Sequence, residues 1–401
     1  MVDQVLSSGT QLLLLVLVAR QADPATFGAL SVALIANGFL LGLVRAGIGE
    51  VVLLRCRAER SVSQRDASVG LLLALAAGGV AGLGLLGAST IVSGEAGRFL
   101  LLMALAAPLV YTQDLLRYVA YGVGQVDQAI VLDGVWLGVQ AVVSGTLLAW
   151  GEATPIRLVL AWVGGAGAGA LVGVLRQRLR LRPVAISRWW VDERARAGGF
   201  LTDFLVSNGM WQSSFLLLGA MFPLDEFGAL RVAFLSLSPL ANLLAGVRTL
   251  TLAHLGGLRA EPARARQRAA QLAVALSSAA AVYGTALVLL PDRWGSELFG
   301  ETWGEATSLV GLLAAGEVLR LSTFAAIDLI KVLGSPIDLV RTRLVGGVTV
   351  VAGLLVGAAA AGPRGAVVGT VTGYALHGII WWREAWTVGK RPAQPAQTVP
   401  A

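Results

Sequence analysis

Long apolar segments separated by short polar loops run along almost the whole chain. A helix needs about 20 apolar residues to cross a bilayer, and twelve segments reach or approach that length. They lie near residues 5–20, 28–52, 69–92, 98–121, 130–150, 156–175, 199–222, 228–250, 269–290, 305–331, 341–361 and 366–386. The pattern predicts an all-α polytopic membrane protein with about twelve transmembrane helices.

The second half of the sequence repeats features of the first. An offset of 200 residues places Thr26–Ala33 on Glu226–Ala233 with six identities in eight positions, and an offset of 203 places Asp114–Arg117 on Glu317–Arg320. Both matches pair the same helix of each half. Because each half has six spans, an even number, the two repeats are expected to run parallel, related by a pseudo-twofold axis along the membrane normal and enclosing a central cavity.

The repeat predicts four regions. They are an N-terminal six-helix lobe (1–175), a basic cytoplasmic interfacial linker (176–198), a C-terminal six-helix lobe (199–386) and a disordered cytoplasmic tail (387–401). The linker carries seven arginines and the pair Trp189–Trp190, a composition typical of a segment on a membrane surface rich in anionic lipids. The tail is rich in proline, glutamine and alanine.

The distribution of basic residues predicts the orientation. Successive loops must lie on opposite sides of the membrane, and this assignment places 23 basic residues on one side and five on the other. The positive-inside rule therefore places both termini in the cytoplasm. The net charge of +7 is therefore explained by topology and is no sign of nucleic-acid binding. Arginine supplies nearly all the positive charge, which is typical of a high-GC bacterium, and we expect a multi-pass protein of the bacterial cytoplasmic (inner) membrane.

Composition argues against an enzyme. Hydrophobic residues make up 56% of the chain and charged residues 14%. The single cysteine, Cys56, cannot form an intrachain disulfide, and the two histidines cannot build a histidine-rich metal site. The glycine-rich lysine motif of nucleotide hydrolases is missing. No catalytic residue, cofactor or metal is predicted.

Ionisable and polar groups inside the predicted spans are the best candidates for a site, because each charge costs about 2.5–3.5 kcal/mol at the bilayer centre and usually faces a cavity or a partner. The substrate-binding candidates are Arg45, Arg117, Arg320, Asn208 and Gln212. The candidates for ion coupling or charge pairing are Glu50, Asp114, Glu317 and Asp328. Arginine suits phosphate oxygens because its planar fork of donors matches them.

Structural roles compete with each of these assignments. Asp114 with Arg117, and Glu317 with Arg320, are spaced three residues apart, so each could be an ion pair that only stabilises its own helix. Arg45 could extend to the inner headgroups instead of contacting a ligand. Asn208 and Gln212 could serve interhelical hydrogen bonds.

Short motifs distributed over the chain resemble those of the multidrug/oligosaccharidyl-lipid/polysaccharide exporter superfamily, within it the bacterial polysaccharide flippases of the O-antigen type. The motifs are Asp3 with Ser8-Gly9-Thr10, Ala19-Arg20, Pro24 with Phe27-Gly28, Arg45-Ala46 with Gly49-Glu50, and Asp114-Leu115-Leu116-Arg117-Tyr118 before Gly124 and Asp133. The resemblance implies flipping of undecaprenyl-diphosphate-linked oligosaccharide to the outer leaflet, with a polysaccharide polymerase and glycosyltransferases as possible partners. The chain is short for the family and lacks the two extra helices of the lipid II flippase branch.

Two other functions fit the same sequence. A cation-coupled multidrug antiporter of the same fold would need acidic groups unpaired in its cavity, whereas here the intramembrane acids come with arginines. A non-transporting membrane scaffold for polysaccharide assembly would depend on the basic segment 176–198 rather than on charges in the cavity.

Overall fold

The computed structural model describes residues 2–58, 63–179, 186–240 and 260–388, together with residues 251, 255, 257 and 258. Within these ranges the chain is helical and contains no strand. The helices are α1 (Val2–Gln21), α2 (Pro24–Val44), α3 (Glu50–Ala58), α4 (Ser63–Ile91), α5 (Gly94–Gly122), α6 (Val126–Ala149), α7 (Pro155–Gln177), α8 (Ile186–Phe204), α9 (Met210–Met221), α10 (Leu224–Ser236), α11 (Pro262–Val288), α12 (Asp292–Phe299), α13 (Thr302–Leu333) and α14 (Pro336–Val388).

Each predicted span falls mainly on helix where the structure describes it, with turn or bend residues at Leu237 and at the last one or two positions of some spans. Residues 241–250 of the eighth span lie outside the described residues. Eight helical segments of the described part are long and apolar enough to cross a membrane. The eleventh and twelfth spans are the two arms of α14, which turns sharply at Ala361 and Gly362. Gly362 adopts φ 62°, a conformation that glycine tolerates without strain.

Helix boundaries follow local chemistry. Asp23 caps α2 by accepting a hydrogen bond from the Thr26 backbone N–H at 3.0 Å, and Pro24 occupies the first turn, where no amide hydrogen is needed. Thr154 and Pro155 start α7 in the same way. α2 does not stop at Val44, because a π-helical turn, Arg45–Gly49, joins it to α3.

Close glycine contacts pack α4 against α5. A Cβ atom placed on Gly78 would lie 2.7 Å from Cα of Pro108, and one placed on Gly82 would lie 2.6 Å from the carbonyl oxygen of Ala104. The spacing of four residues puts both glycines on one face of α4, as in the small-residue interfaces of membrane helices. α5 therefore lies deep in its bundle, where its polar residues are buried.

The chain forms two compact units. The first comprises Met1–Ala229 and Asp292–Trp303, and the second comprises Leu230–Pro291 and Gly304–Ala401. The short helix α12, which hydropathy did not predict, belongs to the first unit because it packs on α1, with Gly300 against the carbonyl of Ala19. The predicted lobes, 1–175 and 199–386, are defined by the sequence repeat and remain a prediction.

Repeat-related residues contact each other at the start of α2 and α10. A Cβ atom on Gly28 would overlap the carbonyl oxygen of Leu224, and one on Gly228 would meet the carbonyl oxygen of Pro24 at 2.5 Å. In one contact residue 28 meets residue 224, and in the other residue 228 meets residue 24. The two contacts are therefore related by the offset of 200 found in the sequence. Reciprocal contacts of this kind arise where a twofold axis passes between two segments.

The predicted interfacial linker (176–198) does not end where a helix ends: its first two residues close α7, residues 180–185 lie outside the described residues, and α8 begins at Ile186 and continues to Phe204, inside the predicted seventh span. Trp189 is buried, and Trp190 is half exposed. Arg55 of α3 bridges Asp66 of α4 at 3.1 Å and Glu193 of α8 at 2.7 Å. This ion-pair cluster fixes α8 to α3 and α4 in the first unit. Its predicted position on the membrane surface remains a prediction, and residues 389–401 of the predicted tail lie outside the described residues.

Candidate functional site

Arg45 and Asp114 form a two-point ion pair inside the first unit. Nε of Arg45 donates to Oδ2 of Asp114 at 2.8 Å, and Nη2 donates to Oδ1 at 2.7 Å. Arg45 is the first residue of the π-helical turn that follows α2. A π turn shifts the register of all later side chains and is frequently found at functional sites. Snorkelling of Arg45 to the headgroups, one of the alternatives for this residue, is not the contact that the structure shows.

Arg117 joins this pair to a second carboxylate. Its Nη1 lies 3.3 Å from Oδ1 of Asp114, and its Nε lies 3.0 Å from Oδ2 of Asp133 on α6. Gln113 donates to the other oxygen of Asp133 at 2.9 Å. The result is an alternating chain of charges, Arg45–Asp114–Arg117–Asp133, that connects three helical segments. The predicted pairing of Asp114 with Arg117 within α5 is present, but it is the weaker part of the arrangement.

Asp133 was missed as a site residue by sequence reasoning, which cited it only as part of the family resemblance. Its side chain has no solvent-exposed surface. The available signal was a single acid in the interior of the fifth span, because such an acid requires a partner to offset its insertion cost.

The charge cluster is electrically balanced, with two guanidinium groups and two carboxylates. At 4 Å, two unit charges attract or repel by about 4 kcal/mol at an effective dielectric constant of 20. An anion approaching Arg45 is therefore attracted by the arginine and repelled by Asp114 to a similar extent. Removing one partner of a buried pair costs about 3–5 kcal/mol, so a ligand gains little by displacing Asp114.

The cluster forms part of the wall of two adjoining cavities in the first unit. The larger, about 200 Å³, is lined by Ser7, Arg45, Asp114, Arg117, Tyr118 and Tyr121. The smaller, about 80 Å³, shares four of these residues and adds Asn37, Trp136 and Trp162 to its wall. The Arg45 side chain is 41% exposed, whereas those of Asp114 and Arg117 are 6% and 8% exposed. Arg45 is thus the charged residue of the cluster most open to a ligand.

Three predicted site residues of the first unit lie outside the linings of these two cavities. Glu50 follows the π turn and is exposed. Asn208 is exposed in a second π-helical turn, Leu205–Gly209, and its Nδ2 donates to Oγ of Ser207 at 3.4 Å. Gln212 is partly buried and lies against Gly38 of α2. The structure therefore does not bring these three residues together with Arg45 and Arg117 at one cavity.

The second unit carries its own charged pairs on α13. Nε and Nη2 of Arg320 bind the carboxylate of Glu317 at 2.6–2.9 Å, and the guanidinium lies 5.2 Å from the ring centroid of Phe324. Lys331 lies 3.4 Å from Asp328. Both pairs join residues one helical turn apart, as in the structural alternative for Glu317 and Arg320. The Arg320 side chain is 24% exposed, whereas that of Arg45 is 41% exposed, so Arg320 is the more buried of the two arginines.

Among the comparisons with known proteins, only the comparison with solved structures gives matches. No protein-family model matches the sequence, and no curated protein matches it either. An inward-facing MATE-family multidrug resistance transporter of the MOP superfamily aligns with 96% of this chain and 94% of its own, at a TM-score of 0.70 and 14% identity. The lipid II flippase MurJ, in an inward closed conformation, aligns with 96% of this chain and 88% of its own, at a TM-score of 0.72 and 10% identity.

A third neighbour is a MOP superfamily transporter from Pyrococcus furiosus, described as having a binding pocket of reverse polarity. It covers 96% of this chain and 94% of its own at a TM-score of 0.64 and 13% identity. The chain therefore has the helical fold that these MATE transporters and MurJ share. This confirms the predicted fold class and, at the level of the fold, the resemblance to the superfamily. The O-antigen flippase branch remains a prediction.

Proposed function

We propose that the protein is a flippase that moves polyprenyl-diphosphate-linked oligosaccharide across the bacterial cytoplasmic membrane. The observation that carries the proposal is the pairing of Asp114, the one acid among the described residues that line the two N-terminal cavities, with Arg45 and Arg117. A polar headgroup needs such a lined cavity while its lipid tail stays in the bilayer. The fold, shared with a lipid II flippase, is compatible with this cargo.

The proposed transport cycle uses alternating access of the two sequence repeats, with both termini cytoplasmic. The cargo enters from the inner leaflet, and no covalent chemistry is required of the protein. Arg320 and its partner Glu317 form the corresponding site in the second unit. Glu50 and Asp328 are proposed to carry a coupling ion, and Asn208 and Gln212, which lie outside the linings of the two cavities, to contact cargo that extends beyond them. Anionic lipids, a polymerase and glycosyltransferases are the proposed partners.

The second candidate is a cation-coupled multidrug antiporter, which the MATE neighbours favour. A carboxylate that holds a cationic drug must offer its charge to the drug. Asp114 is already bound by two nitrogen atoms of Arg45 and one of Arg117. A cation would therefore meet two guanidinium groups beside the carboxylate, and this repulsion favours the flippase.

The test is translocation in proteoliposomes containing a fluorescent polyprenyl-diphosphate oligosaccharide. We expect the purified protein to accelerate its movement between leaflets, and Arg45→Ala and Arg117→Ala each to reduce the rate at least tenfold. Arg98→Ala is the matched control, because Arg98 lies on the same helix as Arg117 but pairs with Glu95 at the surface. Failure to move any polyprenyl-diphosphate sugar, with protection of cells against cationic drugs, would establish the antiporter instead.

A further inference from the structure

We propose that the N-terminal cavity binds the saccharide part of the cargo through its hydroxyl groups, and that it does not bind the diphosphate. This assignment rests on the proposed function and makes its substrate more specific. It differs from the expectation that Arg45 and Arg117 attract phosphate oxygens. The difference arises from the contacts of these two arginines.

The charge balance of the cavity wall disfavours an anion. Each arginine of the wall is paired with a carboxylate, Arg45 with Asp114 and Arg117 with both Asp114 and Asp133. A phosphate group is only an acceptor of hydrogen bonds at its ionised oxygens, so it has no favourable contact with Asp114. A hydroxyl group can donate to the carboxylate and accept from the guanidinium beside it. The paired arrangement therefore suits a neutral ligand with neighbouring hydroxyls.

The rest of the larger cavity adds groups of the same kind. Ser7, Tyr118 and Tyr121 line it, and hydroxyl groups both donate and accept. Drug-sized ligands occupy pockets of roughly 300–1,000 Å³, whereas the two cavities here measure about 200 Å³ and about 80 Å³. That size suits individual sugar rings better than a complete oligosaccharide.

The smaller cavity contains an independent indication of a ligand. Asn37 is 3% exposed and lines the cavity, and its side-chain oxygen has no hydrogen-bond partner among the described residues. A buried acceptor without a partner is costly and calls for an explanation. Trp136 and Trp162 form the aromatic part of the same wall, with ring centroids 5.3 Å apart. A hydroxyl donor on a ring with an apolar face would complement both features.

The experiment measures binding by saturation-transfer NMR to the purified full-length protein in nanodiscs. The probes are inorganic pyrophosphate and a panel of neutral disaccharides and trisaccharides. We expect at least one saccharide to bind and a tenfold molar excess of pyrophosphate to leave its signal unchanged. Asn37→Leu and Tyr121→Phe should each weaken saccharide binding at least fivefold. Thermal unfolding of each variant shows whether it is folded.

A variant that is expected to gain pyrophosphate binding gives a more decisive test. Asp114→Asn removes one negative charge and leaves the cluster with a net positive charge, so we expect pyrophosphate binding to strengthen about tenfold. Asp127→Asn is the control, since Asp127 is an exposed acid in the first turn of α6. The proposal is overturned if no saccharide of the panel binds, or if wild-type protein binds pyrophosphate and Arg45→Ala abolishes that binding.

The two proposals can fail separately. Translocation of a lipid-linked glycan together with a wild-type site that binds pyrophosphate would keep the flippase and refute the saccharide site. Saccharide binding that depends on Asn37, without translocation of any polyprenyl-diphosphate glycan, would refute the flippase.

Discussion

Arg117 on α5 places its Nε 3.0 Å from Oδ2 of Asp133 on α6, where the carboxylate is fully buried. Gln113, one turn earlier on α5, donates to the second oxygen of the same carboxylate. Asp133 therefore accepts a hydrogen bond from Gln113 and forms an ion pair with Arg117, both on the neighbouring helix. Its position fixes the direction from which Arg117 approaches Asp114 and the cavity.

We expect Asp133→Ala to destabilise the protein by about 3 kcal/mol, because it leaves a buried guanidinium without one of its two carboxylates. The measurement is the free energy of unfolding in detergent, followed by circular dichroism. Asp127→Ala, on the exposed first turn of the same helix, should change it by less than about 0.5 kcal/mol. Equal effects of the two substitutions would show that Asp133 has no special role in stability.

Gly28→Ala and Gly228→Ala should both lower the midpoint of thermal unfolding. Each added methyl group meets the backbone of the facing helix, which cannot move as a flexible side chain can. We expect a cost of about 1–3 kcal/mol for each, as for overpacked cores. Gly138→Ala on α6 is the matched control, because nothing lies within 4 Å of its added carbon. It should be neutral or stabilising by up to about 1 kcal/mol, since alanine is the better helix former.

Glu193→Gln should loosen α8. The substitution weakens the bonds that Glu193 accepts from Arg55 and Arg196, both at 2.7 Å. Hydrogen bonds to charged groups contribute about 1.5–3 kcal/mol, so amide exchange of residues 189–197 should accelerate at least tenfold. Asp192→Asn, at the exposed neighbouring position, should leave the exchange unchanged. If the two variants exchange alike, the ion-pair cluster does not hold the helix.

We expect the contribution of Asp23, in the turn between α1 and α2, to the stability of the protein to depend on pH. Hydrogen bonds from the Thr26 side chain, and then from its backbone, lower the pKa of Asp23 from 3.8. A lowered pKa means that the carboxylate stabilises the folded state above pH 3.8 and that this contribution is lost as the pH falls through the folded-state pKa. Asp23→Ala should therefore cost about 1 kcal/mol at pH 7, measured from thermal unfolding.

Comparing the stability of wild type and Asp23→Ala at pH 3 tests whether the charge of Asp23 contributes to the cap. There the difference between wild type and Asp23→Ala should be smaller than at pH 7. Thr26→Val, which removes the side-chain donor and keeps the backbone donor, should give an intermediate result. A cost that is independent of pH would mean that the negative charge of Asp23 does not contribute to the cap.

Hydropathy was sufficient to predict the fold because the requirement for about 20 apolar residues leaves a strong signal in each span. The repeat predicted the offset of 200 residues that relates the reciprocal contacts of Gly28 and Gly228. The helix α12 was missed because its eight residues are too few and too polar to register as a span. The π-helical turns were missed because a one-residue change of register leaves no mark in composition.

The local ion pairs of the candidate site were predicted, while the roles of their residues remain a prediction. The i, i+3 spacing of Asp114 with Arg117 and of Glu317 with Arg320 can be read from the sequence, and both pairs are present. The stronger bond of Asp114 is to Arg45, 69 residues away. Local spacing carries no information about such a contact, because it depends on how α2 and α5 pack.

The reciprocal packing of Gly28 and Gly228 has the geometry of an interface between two identical chains. A polypeptide of half this length would bring Gly28 of one copy against Gly28 of a second, with Pro24 of each copy facing the glycine of the other. That is the self-complementary interface of a parallel homodimer. The present chain holds a contact of this geometry within one polypeptide, because Gly28 meets Leu224 and Gly228 meets Pro24.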